Sequence, residues 1–134
     1  MGFPGMIALD TSVLVDVLRE RQDVFQELSR IRQTHTSVPC LPFITTFEML
    51  LRVQDASAQA QDRTRELLLR YPQLETSKRT AEILANLRRK YDRKGLHLPF
   101  ADLFSASQAI ENNVTLVTRD KDFERIEELN KIII

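Results

Sequence analysis

Short apolar runs alternate with amphipathic stretches along this chain, and that alternation restricts its fold more than any other feature. Ile7-Ala8-Leu9 and Thr115-Leu116-Val117-Thr118 read as brief buried strands, and Lys131 to Ile134 reads as a last one. Between them, apolar residues recur at helical spacing. Leu14, Val17 and Leu18 share one face, and Val24, Phe25, Leu28 and Ile31 repeat the pattern in a second helix. Thr45 to Val53 is predicted helical, and so is the stretch carrying Leu67, Leu68 and Tyr71, which stops at Pro72. Ser77 is the predicted N-cap of a long helix bearing Ile83, Leu84, Leu87 and Tyr91, and a further helix turns Leu103, Ala106, Ser107 and Ile110 inward. Pro39 and Pro42 disfavour helix from Val38 to Ile44, so that segment is expected to be extended, as is the short piece around Leu74. Strands separated by helices predict an α/β fold, a parallel sheet covered by helices on both faces.

A chain of 134 residues fits a single domain, residues 1–134, in which 1–5 are expected to be a dispensable extension with Met6 as an alternative start. Hydrophobic residues at 43% and charged ones at 28% support a packed core and exclude disorder. No apolar run approaches the roughly 20 residues of a bilayer span, and no cationic segment leads into an apolar one at the start. Cys40 is the only cysteine, which excludes an internal disulfide and a multi-cysteine zinc site; a cytosolic, cytoplasmic domain is expected. Nineteen Lys and Arg balance nineteen Asp and Glu, so any nucleic-acid contact must work through a local patch or through metal ions. With glycine only at Gly2, Gly5 and Gly95, no phosphate-cradling glycine loop can be written.

In parallel sheets, ligands bind beyond the carboxyl ends of the strands. Asp10 directly follows the first strand, and Asp120 lies just after Thr118. Glu48 is expected to open the helix after Phe43-Ile44, and Asp102 opens the helix after Pro99. The four carboxylates therefore share one edge. Each alone has a structural explanation. Thr45-Thr46-Phe47-Glu48 spells a capping box, Asp102 complements a helix dipole, Asp10 can cap a helix and Asp120 can close a turn. Four independent caps need not share an edge, and two carboxylates about 4 Å apart repel by roughly 4 kcal/mol at an effective dielectric of 20. Of the nearby cations only Arg119 and Lys121 are interleaved with them. An all-oxygen set of this kind selects a hard divalent cation, Mg²⁺ or Mn²⁺.

Four segments in order, Leu9-Asp10-Thr11-Ser12-Val13-Leu14, Ile44-Thr45-Thr46-Phe47-Glu48-Met49-Leu50, Pro99-Phe100-Ala101-Asp102-Leu103 and Leu116-Val117-Thr118-Arg119-Asp120-Lys121-Asp122-Phe123, resemble the four blocks of the PIN-domain family. The resemblance covers nearly the whole chain and is nearest to the VapC-type ribonuclease toxins of toxin–antitoxin pairs. It implies a three-layer α/β/α sandwich, metal-dependent endonucleolytic cleavage of RNA, a homodimer, and inhibition by a small antitoxin protein. Asp10, Glu48, Asp102 and Asp120 would be the catalytic and metal-binding set. Asp120 matches the fourth acidic position, and Asp122 would brace the loop or bind metal through water. In agreement, hard-ion chemistry predicts one or two Mg²⁺ ions among these residues, with Glu48 or Asp102 accepting a proton from the attacking water. Thr11 or Ser12 is expected to orient Asp10, and Thr118 to orient Asp120, with turn capping as the alternative for all three hydroxyls.

Arg88, Arg89, Lys90, Arg93 and Lys94 form the densest basic cluster, read either as an RNA backbone contact or as the solvated face of a long helix. His35 and His97 lack metal-ligand spacing, and Cys40 is expected to be a small buried hydrophobe. An antitoxin is expected to place an arginine among the carboxylates and to cover an apolar groove near Leu14, Leu18, Phe25 and Phe47–Leu51. The alternatives are a PIN nuclease of RNA processing without an antitoxin, an inactive binding module, and a Mg²⁺-binding phospho-receiver. The receiver would need paired acids after the first strand and an aspartate after Leu74, and neither is present.

Overall fold

A computed structural model describes residues 5–134, so most of the expected 1–5 extension, Met1 to Pro4, lies outside the described residues. The chain runs β1 (Ile7–Leu9), α1 (Thr11–Leu18), α2 (Gln22–Ile31), α3 (Phe43–Leu51), α4 (Ala58–Leu69), α5 (Lys78–Arg93), α6 (Phe100–Asn112), β2 (Thr115–Thr118), a 3₁₀ turn (Lys121–Arg125) and β3 (Lys131–Ile133). The strands form a parallel sheet in the order β1-β2-β3, with Ile7 opposite Thr115 and Thr118 opposite Ile133. Two isolated parallel bridges, Ala8 to Cys40 and Leu41 to Gln73, carry the pairing outward past β1.

The two-residue period of the strands divides the core between the faces. Ala8 and Leu116 point to one side, where Leu87 and Tyr91 of α5 and Leu103, Ala106 and Ala109 of α6 cover them. Ile7, Leu9 and Val117 point to the other, under Val13 and Leu14 of α1, Val24 and Ile31 of α2, Met49 of α3 and Leu67 of α4. This is the helix–sheet–helix arrangement expected of short, largely apolar strands separated by helices. Among the described residues no helix is long and apolar enough to cross a membrane.

Local chemistry sets the helix ends. Ser77 caps α5 by accepting from the backbone N–H groups of Arg79 (3.1 Å) and Thr80 (3.4 Å), while the Thr80 hydroxyl accepts from the Ser77 N–H at 2.9 Å. Asn113 ends α6 in the left-handed region at φ 52°, where asparagine is tolerated, and drops Val114 into the core. One expectation fails in the middle of the chain. Only Cys40 and Leu41 form strand bridges there, and α3 starts at Phe43, two residues before the expected Thr45. Pro42 occupies the N-cap with an extended ψ of 154°, where proline costs nothing. The side chain of Gln108, wholly buried in α6, caps the helix from outside by accepting from the Phe43 N–H at 2.7 Å.

Cys40 is buried as expected, its thiol donating to the Ile7 carbonyl at 3.3 Å, and burial pushes its pKa up to about 12. The thiolate is the reactive form. Native protein at mildly alkaline pH should therefore resist a thiol reagent such as DTNB, and one equivalent should react promptly once denaturant is added; rapid labelling of the native protein would show that the Cys40 edge opens.

Candidate functional site

The site begins where β1 ends. The Asp10 backbone N–H donates to the Val117 carbonyl at 3.0 Å, adding one rung beyond the strand and fixing the residue against β2. Asp10 stands at the N-cap of α1, but its carboxylate makes no cap bond. Its Oδ2 instead accepts from the Thr118 hydroxyl at 2.7 Å and the Ser12 hydroxyl at 3.0 Å. Burial raises the Asp10 pKa; the Thr118 and Ser12 hydrogen bonds work against that rise without cancelling it. Ser12 thus holds Asp10, as expected. Thr118 differs from expectation: its hydroxyl donates to Asp10 rather than to Asp120, whose backbone N–H donates to it at 3.0 Å. Leu9 pairs with Val117 in the parallel register, so Asp10 and Thr118, the next residue on each chain, come side by side just past the end of β1.

Glu48 is displaced from its expected position by the early start of α3. It lies in the second turn, and no capping box forms. The Thr45 hydroxyl donates to the Leu9 carbonyl at 2.9 Å in the core, tying α3 to the end of β1. Glu48 Oε1 accepts from the Thr11 hydroxyl at 2.6 Å, so Thr11 orients Glu48 rather than Asp10.

Asp102 sits in the first turn of α6, and Asp120 caps the 3₁₀ turn by accepting from the Asp122 N–H at 2.9 Å. Asp102, Asp120 and Asp122 each bring a carboxylate oxygen within 4.8 Å of the other two. Burial pushes the Asp102 pKa up to about 7, helped by the charges of Asp120, Asp10, Asp122 and Glu48. All five acidic residues therefore act on one small volume, although Asp10 and Glu48 stand outside the closest group of three. Every donor is a carboxylate oxygen; Cys40 is bonded into the core, and His35 and His97 lie in the segments after α2 and before α6. The set fits a hard divalent cation.

A family model, the PIN domain, matches residues 7–129.

The chain belongs to the PIN-domain family.

Among solved structures, this PIN domain is similar to VapBC2 from Rickettsia felis bound to a DNA fragment from its promoter, with a TM-score of 0.84 at 25% identity over 96% of this chain and 98% of that one. It also shares the fold of VapBC-1 from nontypeable Haemophilus influenzae (TM-score 0.82, 21% identity, 96% and 97% covered) and of a toxin–antitoxin complex from Klebsiella pneumoniae (0.74, 24%, 96% and 99%). No curated protein matches its sequence.

The basic cluster lies on α5 of the PIN domain. Lys90 pairs with Glu127 and Glu128, Lys94 pairs with Glu127, and Arg88 pairs with Asp92 and donates to the Leu98 carbonyl. Arg89 and Arg93 have no ion-pair partner among the described residues. The apolar surface also differs from expectation. Leu14 is completely buried because it packs under the sheet, whereas Phe43, Phe47 and Leu51 of α3 and Phe100 of α6 are about half exposed, with Phe104 stacked on Phe43 at 5.7 Å. Sequence reasoning missed Asp16, a buried carboxylate on α1 that pairs with Arg119, and it missed Gln108. The signal for Asp16 was its place amid Val13, Leu14, Val15, Val17 and Leu18, where a charge needs a partner.

The ordinary Asp102 value is 3.8, so the folded protein retains a proton that the unfolded chain releases. Metal-free stability should therefore fall as pH rises from about 4 to about 7 and level off beyond, the sign expected for an acid whose pKa folding raises. Thermal melts in EDTA across that range should show the slope in wild type and a reduced one in Asp102→Asn; parallel curves would mean that Asp102 does not titrate in this way.

Proposed function

We propose that this PIN domain is a Mg²⁺- or Mn²⁺-dependent endoribonuclease and the toxin of a toxin–antitoxin pair. The observation that carries the reading is the convergence of Asp102, Asp120 and Asp122 within 4.8 Å, with Asp10 and Glu48 close enough to raise the Asp102 pKa. Asp10, Asp102, Asp120 and Asp122 would hold the ion, and Glu48 completes the set. Such an ion, when bound, supplies an acidic water and offsets charge at the scissile phosphate. The chain's own residues do the rest. Thr118 and Ser12 hold the Asp10 carboxylate at a fixed angle, and Thr11 holds Glu48 by one oxygen. Glu48 Oε2 has no hydrogen-bond partner among the described residues, which suits it to accept a proton from water.

An arginine of an antitoxin would pair bidentately with Asp10 or Asp102 and neutralise the cluster in the absence of metal. The exposed Phe43, Phe47, Leu51 and Phe100 form an apolar patch beside Glu48 and Asp102, of the kind that protein partners cover, and support a homodimer or an antitoxin contact. The complexes formed by the similar VapBC structures support the same reading.

Incubated with total RNA, purified protein should yield discrete fragments with Mg²⁺ or Mn²⁺ and none in EDTA. Asp10→Asn and Asp102→Asn should lower the rate by more than about 100-fold, beyond the 10- to 100-fold typical of residues that only support a metal ligand. Wild-type activity in either variant would remove the proposed site. Expression in a heterologous bacterium should arrest growth, and the neighbouring small reading frame should relieve the arrest; cleavage without arrest would favour an RNA-processing nuclease.

Glu48→Gln is a separate test. It keeps an acceptor for the Thr11 hydroxyl but loses the charge, so the melting temperature should hold within a few degrees while cleavage falls. Unchanged cleavage would confine Glu48 to a structural role.

A further inference from the structure

Arg119 stands between two residues of the site, Thr118 and Asp120, yet its side chain turns away from them. Its guanidinium donates to Asp16 Oδ2 on α1, and Asp16 is only 6% exposed. The Arg119 backbone N–H donates to the Ser12 hydroxyl at 3.0 Å, at the start of the same helix. Ser12 and Asp16 are four residues apart and so lie on one face of α1. One residue therefore grips α1 at two successive turns, by its backbone at one and its side chain at the other.

The segment held in this way leads directly to the cluster. Asp120 N–H donates to the Thr118 hydroxyl, and Asp120 Oδ1 accepts from the Asp122 N–H. Rotation about the Arg119 backbone would swing both carboxylates, and the grip on α1 opposes that rotation. Among the described residues Asp16 has one other cation in range, Arg21 at 3.9 Å, a distance beyond hydrogen bonding. A buried carboxylate that loses its partner is costly, so the pairing with Arg119 is enforced by the core around Asp16.

We propose that Asp16 and Arg119 form a positioning pair that sets the segment leaving β2 and, through it, the orientation of Asp120 and Asp122 in the acidic cluster. The inference rests on the metal-dependent reading above and adds to it two residues outside the ligand set. Neither touches the reacting atoms. Their contribution is to metal affinity, in the way that residues behind a metal ligand commonly act.

The test is Mn²⁺ binding by calorimetry, independent of cleavage, on wild type, Asp16→Asn, Arg119→Gln, Arg119→Lys and the Asp16→Asn/Arg119→Gln double variant, each with its melting temperature. Both single variants should weaken Mn²⁺ binding by about 10-fold or more. The double variant should be no weaker than either single one, because both break the same contact. Arg119→Lys should recover part of the loss. A core control, Ile31→Ala, should lose stability and keep its Mn²⁺ affinity. Unchanged affinity in Arg119→Gln, whose partly exposed side chain is removable without a cavity, would overturn the proposal, as would equal weakening in the core control. A wild type that binds no Mn²⁺ would instead bring down the metal-dependent reading, and this inference with it.

Discussion

Negative charge crowded onto one edge of a parallel sheet is the constraint around which this PIN domain is arranged. Parallel strands end at the same edge, so residues that follow β1 and β2 become neighbours whatever their distance in sequence. Asp10 and Asp120 arrive there from strands, and Asp102 arrives from the first turn of α6. Burial first, and the neighbouring carboxylates second, push the Asp102 pKa up to about 7. The crowding is tolerated because hydroxyls and backbone N–H groups take up much of the remaining charge: Thr118 and Ser12 at Asp10, Thr11 at Glu48, and the Asp122 N–H at Asp120. An edge built this way suits the cation proposed above, since its carboxylates are already held.

The same hydroxyls do architectural work. Thr118 bridges β1 and the segment beyond β2, Thr45 ties α3 to the carbonyl of Leu9, and Ser12 joins α1 to Arg119. Each of these residues lies beside a carboxylate or within a turn of one. Stability and site geometry are therefore carried by overlapping sets of bonds, and replacement of one hydroxyl by a methyl group would disturb both.

Much of this was legible in the sequence, and the gaps have physical causes. β1, β2 and β3 followed from short runs with apolar centres, and the α5 cap followed from Ser77. Asp10 and Asp102 were recognisable because position alone, the end of a strand and the start of a helix, places them. Glu48 was harder. The Thr45-to-Glu48 spacing imitates a capping box, and the true start of α3 depends on Gln108, a residue 65 positions from Phe43 whose buried amide no local pattern reveals. The acids that Thr11 and Thr118 hold, Glu48 and Asp10, differ from those expected for a related reason: a hydroxyl's partner is set by which element packs across from it, not by its nearest acid in sequence. Asp16 and Arg119, 103 residues apart, lay beyond local inference altogether.

The bond between Thr118 and Asp10 joins residues 108 positions apart, and β2 is the strand that brings them together. During synthesis, Asp10, Glu48 and Asp102 all leave the ribosome before the segment that completes their surroundings. The nascent chain therefore carries scattered acids but no assembled edge, and competence waits on the docking of β2 and the segment that follows it. On the ribonuclease reading proposed above, a chain wired in this order stays inert beside the RNA of the machine that makes it.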